Sequence, residues 1–351
     1  MEKMLTPLLT DKELFGLMSL IRGARRIVVC GHRSPDGDAL GSSLGWAAYL
    51  RSLDKRVDVV MPNAFPDFLR WIPGALQVLF YDRQRDAVDS LLADADLIFC
   101  MDFNDPRRLQ DMGVAVASAR GRRVMIDHHP GPQTESFDFC VSRPSMCSTC
   151  EVAFRLICQL GGYENLSTRA AVALYTGMMT DTGGFTYNSN APEIYIIVSL
   201  LLAKGLDKDK IYRNVFNNYS EHRLRFQGYV LYEKLHFLAG GRAAYFTLTR
   251  EEMKRFHFIR GDAEGWVNIP LQVRGMKLSI SLREDTEKDV VRVSLRSVDD
   301  FPCNKMAEEF FNGGGHLNAA GGELPFPMEE AVKTVERAVG AYAGRLLPKQ
   351  A

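Results

Sequence analysis

Short apolar runs, each breaking off at a polar residue or a turn, set the rhythm of the first half of the chain. The β-branched run over 27–30, the runs over 57–61, 77–81 and 97–101, and RVMI before Asp127 read as buried strands. Between them apolar residues recur at helical spacing. Leu14, Leu17, Met18 and Ile21 follow a Thr10/Glu13 capping box, and Leu40, Leu44, Ala47 and Ala48 follow an Asp38 cap, with Gly41 and Gly45 permitting close approach to the sheet. Strands alternating with helices predict a mainly parallel, doubly wound α/β sheet. After a loop rich in Pro and Ser the pattern turns helical: 148–160 behind a Ser148/Glu151 capping box, 166–179, and a third helix capped by Asn190 with Glu193. Residues 205–233 are polar and helical. Alternation then returns over 242–248, 277–283 and 290–297, followed by a helix from about Lys305 and a last helix over 328–347. This predicts a smaller α+β domain, so the chain divides into 1–204, a helical linker over 205–238, and 239–351.

Composition narrows the function. With 351 residues, 46% apolar and 25% charged, the chain is an ordinary globular protein large enough for two cores. Lys plus Arg equals Asp plus Glu at 43 each. No net positive field therefore exists to hold a long duplex, and a polyanionic substrate must be small or locally gripped. Seven cysteines, scattered and mostly in apolar surroundings, fit reduced thiols in a cytoplasm. The opening MEKMLTPLLTDKE meets charge too early for a secretory segment, and no stretch approaches the ~20 apolar residues of a membrane span.

The candidate chemistry lies where the strands end. RVMIDHH delivers Asp127, His128 and His129 to the carboxyl end of a strand, where open α/β sheets form their ligand crevices. Asp102 ends another run. His32, Asp36 and Asp38 share one loop in which Pro35 and Gly37 force a tight turn, and Asp181 lies in a Thr-Asp-Thr-Gly-Gly turn. Oxygen and nitrogen donors without sulfur suit Mn²⁺, Mg²⁺ or Co²⁺ better than structural zinc. Two such ions about 3.5 to 4 Å apart, sharing a carboxylate and a water, would generate a nucleophile for in-line attack on a phosphate. In the second domain Gly313, Gly314 and Gly315 let amides approach an anion, and His316 and Asn318 add donors. Arg296 is the first candidate for a bidentate phosphate contact, Arg283 the second, and Arg107 lies just after Asp102. Two rival readings exist. Cys147 and Cys150 form a CxxC at a helix start, which suits a thiol oxidoreductase, although it follows five strands rather than one. A metal-dependent nucleotide-binding or sensory protein without turnover is the other.

The ordered motifs HRSPDGDALGS, MDFND, MIDHH and TDTGGF, followed by NGGGHLNAAGG, resemble the DHH phosphoesterase family with its DHHA1 partner domain, over nearly the whole chain. Within that family the chain is similar to the bacterial bifunctional oligoribonucleases and PAP phosphatases, also called exopolyphosphatase-related. The resemblance implies that His32, Asp36 and Asp102 hold one divalent ion and Asp38, Asp102, His128 and Asp181 the other, with Mn²⁺ first and Mg²⁺ or Co²⁺ as alternatives. Asp127 would orient the His128 ring, and His129 would face the scissile phosphate as a donor. The glycine-rich run, with His316, would bind a terminal nucleotide or phosphate across an interdomain cleft. The implied substrates are single-stranded oligonucleotides of two to about five residues, short enough for a closing cleft, and 3′-phosphoadenosine 5′-phosphate. Cyclic or linear dinucleotides are the alternative. No membrane partner is expected, and a homodimer is compatible with the resemblance.

Overall fold

The structure, a computed structural model of the chain, describes residues 5–259 and 261–346. It divides into two compact units, with the boundary between Asn218 and Tyr219. Among the described residues no helix is long and apolar enough to cross a membrane.

The first unit runs α1 (Asp11–Gly23), β1 (Arg26–Cys30), α2 (Gly37–Ser52), β2 (Arg56–Met61), β3 (Leu79–Phe80), α3 (Arg85–Asp94), β4 (Leu97–Met101), α4 (Asp111–Ser118), β5 (Arg122–Asp127), β6 (Phe139–Ser142), α5 (Thr149–Gln159), α6 (Thr168–Asp181), α7 (Pro192–Ala203) and α8 (Lys208–Phe216). The strands pair in parallel in the order β3-β2-β1-β4-β5-β6. Strand succession reverses between β1 and β4, which is where such sheets open a ligand crevice. The central strands are covered on both faces. Leu97, Phe99 and Met101 of β4 join the core that contains α2, α5 and α6, while Ile98 and Cys100 join Val88 and Leu92 of α3 and Met112 and Val116 of α4. A strand buried on both sides reads as an uninterrupted apolar run, which is why the sequence displayed it.

Several local expectations are corrected. The run over 77–81 forms only the two-residue β3, because a 3₁₀ turn takes Ala75–Gln77. The Pro- and Ser-rich segment expected as a loop contains β6, an edge strand too short to show a pattern. Asp36, not Asp38, caps α2 and accepts from the amides of Asp38 and Ala39, both at 3.0 Å. Gly41 and Gly45 admit α6 rather than the sheet: a Cβ on Gly41 would stand 2.5 Å from the Ala173 carbonyl, and one on Gly45 2.5 Å from Leu174. Ser148 caps α5, but the Glu151 carboxylate accepts from the Cys147 amide at 2.8 Å instead of completing a box. Ala191 occupies the cap of α7 with no side-chain bond, and Pro192 at the first turn takes over the start from the expected Asn190. The α1 capping box forms as read.

The second unit runs α9 (Glu221–Tyr229), β7 (His236–Leu238), β8 (Ala243–Leu248), α10 (Arg250–Arg255), β9 (Leu278–Glu284), β10 (Val290–Ser297), α11 (Cys303–Phe310), β11 (Gly314–His316), β12 (Ala319–Pro325), α12 (Met328–Ala341) and α13 (Ala343–Leu346). Its mixed sheet has the order β11-β12-β10-β9-β8-β7, with β8 and β9 parallel and the other pairs antiparallel. Val291, Val293 and Leu295 of β10 turn toward α11 and α12, and the alternate residues face away. The last helix ends at Ala341, α13 follows, and residue 347 of the expected helix lies outside the described residues. The expected linker over 205–238 is shared out: Ile211 and Val215 of α8 enter the first core, and Phe226 of α9 enters a cluster of the second unit.

Candidate active site

The switch point gathers acids and imidazoles that are distant in sequence. β1 ends just before His32, β4 just before Asp102, and β5 ends on Asp127 ahead of His128 and His129. Asp36 and Asp38 open α2, and Asp181 closes α6. Asp102 sits in the left-handed region with φ 64°, its amide bonded to the Ile126 carbonyl at 3.0 Å. That conformation is uncommon for a residue with a Cβ.

The two Asp102 oxygens face different neighbours. Oδ2 lies 3.3 Å from His32 Nε2, and Oδ1 lies 3.7 Å from His128 Nε2. His128 Nε2 also stands 3.8 Å from Asp38 Oδ2 and 3.5 Å from Asp181 Oδ2. Donor atoms of His32, Asp36 and Asp102 fall within 4.8 Å of one another, as do those of Asp38, Asp102 and His128. Two overlapping donor groups therefore share Asp102, and Asp181 stands beside the second through His128. Separations of 3.3 to 3.8 Å are long for hydrogen bonds but ordinary for groups converging on a common cation. His32 Nε2 is buried without a hydrogen bond among the described residues.

Electrostatics point the same way. Burial, and then the charges of Asp102 and Asp181, push the Asp38 carboxyl well above the usual carboxylate range. Burial pushes Asp102 up as well, but the His32 contact and the charges of His129 and His128 outweigh it and hold this acid low. Burial lowers His32 and His128, yet both end raised, His32 chiefly through Asp102 and His128 through Asp102 and Asp38. A site that pulls protons onto its own imidazoles is short of positive charge, the kind of charge a bound cation carries.

Asp127 corrects one expectation. Its Oδ1 accepts from His129 Nδ1 at 2.7 Å and its Oδ2 from the His129 amide at 2.8 Å, so it orients His129 and not His128. The His128 ring is instead fixed through Nδ1 against the Met146 carbonyl at 3.3 Å. Position decides this: Asp127 is still in the strand, and the turn that follows folds His129 back over it. Arg107 is also reassigned. Its side chain is 81% exposed and folds onto Asp105, with Nε to Oδ2 at 2.7 Å, whereas Arg108 Nη1 lies 3.3 Å from His129 Nε2 and 3.2 Å from the Asp102 carbonyl. An Asp-Pro turn whose acid captures the next arginine was the sequence signal for that swap. Thr149, buried at the start of α5, went unread; its hydroxyl donates to Asp102 Oδ1 at 2.8 Å. The CxxC lies beside it, but Cys147 and Cys150 are buried and burial pushes both thiols up, which removes the accessible thiolate a redox role requires.

In the second unit, register places His316 opposite Ala319, Ala319 opposite Arg296, and Arg296 opposite Ser279. Arg292 pairs in the same way with Arg283. These residues share the sheet face turned away from α12. Asn318 is corrected: its amide nitrogen bonds Ser297 Oγ at 2.9 Å and the Asp299 carbonyl at 3.1 Å, which locks the turn between β11 and β12. Gly313 and Gly315 are glycines because β12 lies against them, and a Cβ on Gly315 would meet the Ala319 carbonyl at 2.5 Å. Of the three, Gly314 alone has open space at its Cβ position.

Comparison with known proteins agrees. A family model described as the DHH family, N-terminal domain, matches residues 26–178, and a DHHA1 domain model matches 243–341. The bifunctional oligoribonuclease and PAP phosphatase NrnA of Thermus thermophilus is 31% identical over 315 residues, covering 89% of each chain. The crystal structure of an exopolyphosphatase-related protein from Bacteroides fragilis superposes with a TM-score of 0.93 at 50% identity, covering 97% of this chain and 99% of that one. The cyclic-di-AMP phosphodiesterase PdeA of Listeria monocytogenes is 25% identical over 343 residues, 93% of this chain but 49% of that protein. With its acids and imidazoles at the switch point of a parallel sheet and its second, mixed sheet following, the chain belongs to the DHH family and is a phosphoesterase with a DHHA1 domain.

Proposed function

We propose that this enzyme hydrolyses short oligonucleotides and 3′-phosphoadenosine 5′-phosphate at two divalent ions, one held by His32, Asp36 and Asp102 and the other by Asp38, Asp102, His128 and Asp181. The observation that carries this reading is Asp102, buried and with one oxygen directed to each donor group. Donors of nitrogen and oxygen alone favour Mn²⁺, with Mg²⁺ and Co²⁺ as alternatives. When bound, the ions supply positive charge that activates a water and neutralises the phosphate. The remaining work belongs to side chains. Asp127 holds His129 by Nδ1, which leaves Nε2 turned toward Arg108; this imidazole and guanidinium are the groups to stabilise charge growing on the phosphate oxygens. Asp102, Asp127, His128 and His129 form the catalytic set. His316, Arg296, Arg283 and the Gly314 backbone bind the rest of the substrate, while Gly313, Gly315 and Asn318 shape the hairpin that carries His316. The balanced charge supports short substrates over long duplex, and the reduced cysteines suit a cytoplasmic enzyme. The name of the Thermus relative supports these substrates; the name of the Listeria relative supports a second reading, cyclic-dinucleotide hydrolysis.

One assay with Mn²⁺ separates them. Linear dinucleotides, a cyclic dinucleotide, 3′-phosphoadenosine 5′-phosphate, pyrophosphate and a long single strand are compared at equal concentration. The linear dinucleotide and the bisphosphate nucleotide should turn over at least about tenfold faster than the long strand, a barrier difference of ~1.4 kcal/mol. Fastest turnover of the cyclic compound would transfer the assignment to the second reading, and turnover of pyrophosphate alone would end both.

A further inference from the structure

The first turn of α5 touches both acids on which the two donor groups depend. Thr149 is its first residue, so the Thr149 and Cys150 amides lack partners within the helix and are available to an anion. Asp38 takes both, with Oδ2 accepting from Thr149 N at 2.6 Å and Oδ1 from Cys150 N at 2.9 Å. The Thr149 hydroxyl turns the other way and donates to Asp102 Oδ1 at 2.8 Å. Thr149, Cys150, Asp38 and Asp102 are all buried.

A carboxylate rotates about a broad, nearly two-fold torsion, so nothing within Asp102 determines the angle at which its oxygens meet the two donor groups. The hydroxyl does determine it. By engaging Oδ1 on the His128 side, it leaves Oδ2 directed at His32, 3.3 Å away. We infer that Thr149 is a positioning residue for the shared carboxylate: its hydroxyl sets the rotation of Asp102 so that one acid serves two ions, while its amide anchors Asp38. The inference rests on the two-ion reading above. Without the hydroxyl, Asp102 is free to lean toward His32, which preserves the His32/Asp36 group and starves the Asp38/His128/Asp181 group.

Calorimetric titration with Mn²⁺ and electron paramagnetic resonance test this on the full chain as wild type, Thr149→Val, Thr149→Ala and Thr149→Ser. Valine keeps the shape and removes the donor; alanine provides a second hydroxyl-free protein should valine misfold; serine keeps the hydroxyl. Wild type should bind two ions with an exchange-coupled spectrum. The hydroxyl-free variants should retain one ion at near wild-type affinity and bind the other roughly 10- to 100-fold more weakly, the usual cost of losing a group that orients a ligand. Their spectrum should change to that of isolated Mn²⁺, and serine should restore coupling. Two ions bound at wild-type affinity with a coupled spectrum in the valine or alanine variant would overturn the inference alone, as would a serine variant as defective as valine. A wild type that binds fewer than two ions would overturn the two-ion reading and the inference with it.

Discussion

At the scale of single residues, the centre is a set of buried acids whose energetics depend on protons when ions are absent. Asp38, His32 and His128 all bind protons more tightly folded than unfolded. Each contributes stability below its unfolded pKa and loses it as pH rises through the folded value. Asp102 has the opposite shift, but its contribution is complete above the ordinary carboxylate range and adds no slope near neutrality. The chelator-treated protein should therefore melt at lower temperature at about pH 9 than at about pH 6, by a few degrees, and Mn²⁺ should flatten that dependence. Melting curves at matched ionic strength give the answer, and a metal-free protein that gained stability toward alkaline pH would contradict the assigned shifts. The candidate ligands were legible because each sits beside a local signal: a strand end, a Pro-Asp-Gly turn, or the Thr-Asp-Thr-Gly-Gly turn that closes α6. Thr149 was not, because the acid it serves lies 47 positions away. Arg108 hid behind Arg107, since adjacent identical residues differ only in which one the turn sends inward.

At the scale of elements, the site depends on how closely α2, α5 and α6 approach one another. Small residues make that approach possible. A Cβ on Gly177 of α6 would overlap Cys150 Sγ and stand 3.0 Å from Asp38 Oδ1, so this glycine leaves room for the α5 turn and for Asp38 together. Gly177→Ala should cost about 1 to 3 kcal/mol through overpacking and should weaken Mn²⁺ binding by displacing Asp38. Pairing it with Cys150→Ala should return part of both losses, because the two changes act on one contact. Strictly additive losses in the double variant would show that the strain lies elsewhere. Helix periodicity showed that these helices exist. It did not show that the glycines face a helix and not the sheet, since a glycine carries no side chain to mark its partner.

At the scale of the whole molecule, two separately cored units hold the acids and imidazoles in the first and the His316–Arg296 sheet face in the second. His316→Ala and Arg296→Ala should raise KM for a dinucleotide by roughly tenfold or more, the order of a lost charged hydrogen bond, and leave bound Mn²⁺ unchanged. Turnover of bis-p-nitrophenyl phosphate, which has no far nucleotide to hold, should be nearly unaffected. Equal losses on both substrates would place these residues in the chemistry instead. The sequence alone determined the α/β class, the order of the motifs and which acids and imidazoles stand at the strand ends, because strand ends, turn formers and apolar periodicity are local properties written into neighbouring residues. Tertiary structure alone decided that Asp127 serves His129, that Asn318 is spent on its own turn, that the CxxC is sealed and that α5 clamps Asp38 and Asp102 from one residue. Each of those is a contact between segments brought together only when the sheet and helices close around a common core, and no spacing along the chain encodes it.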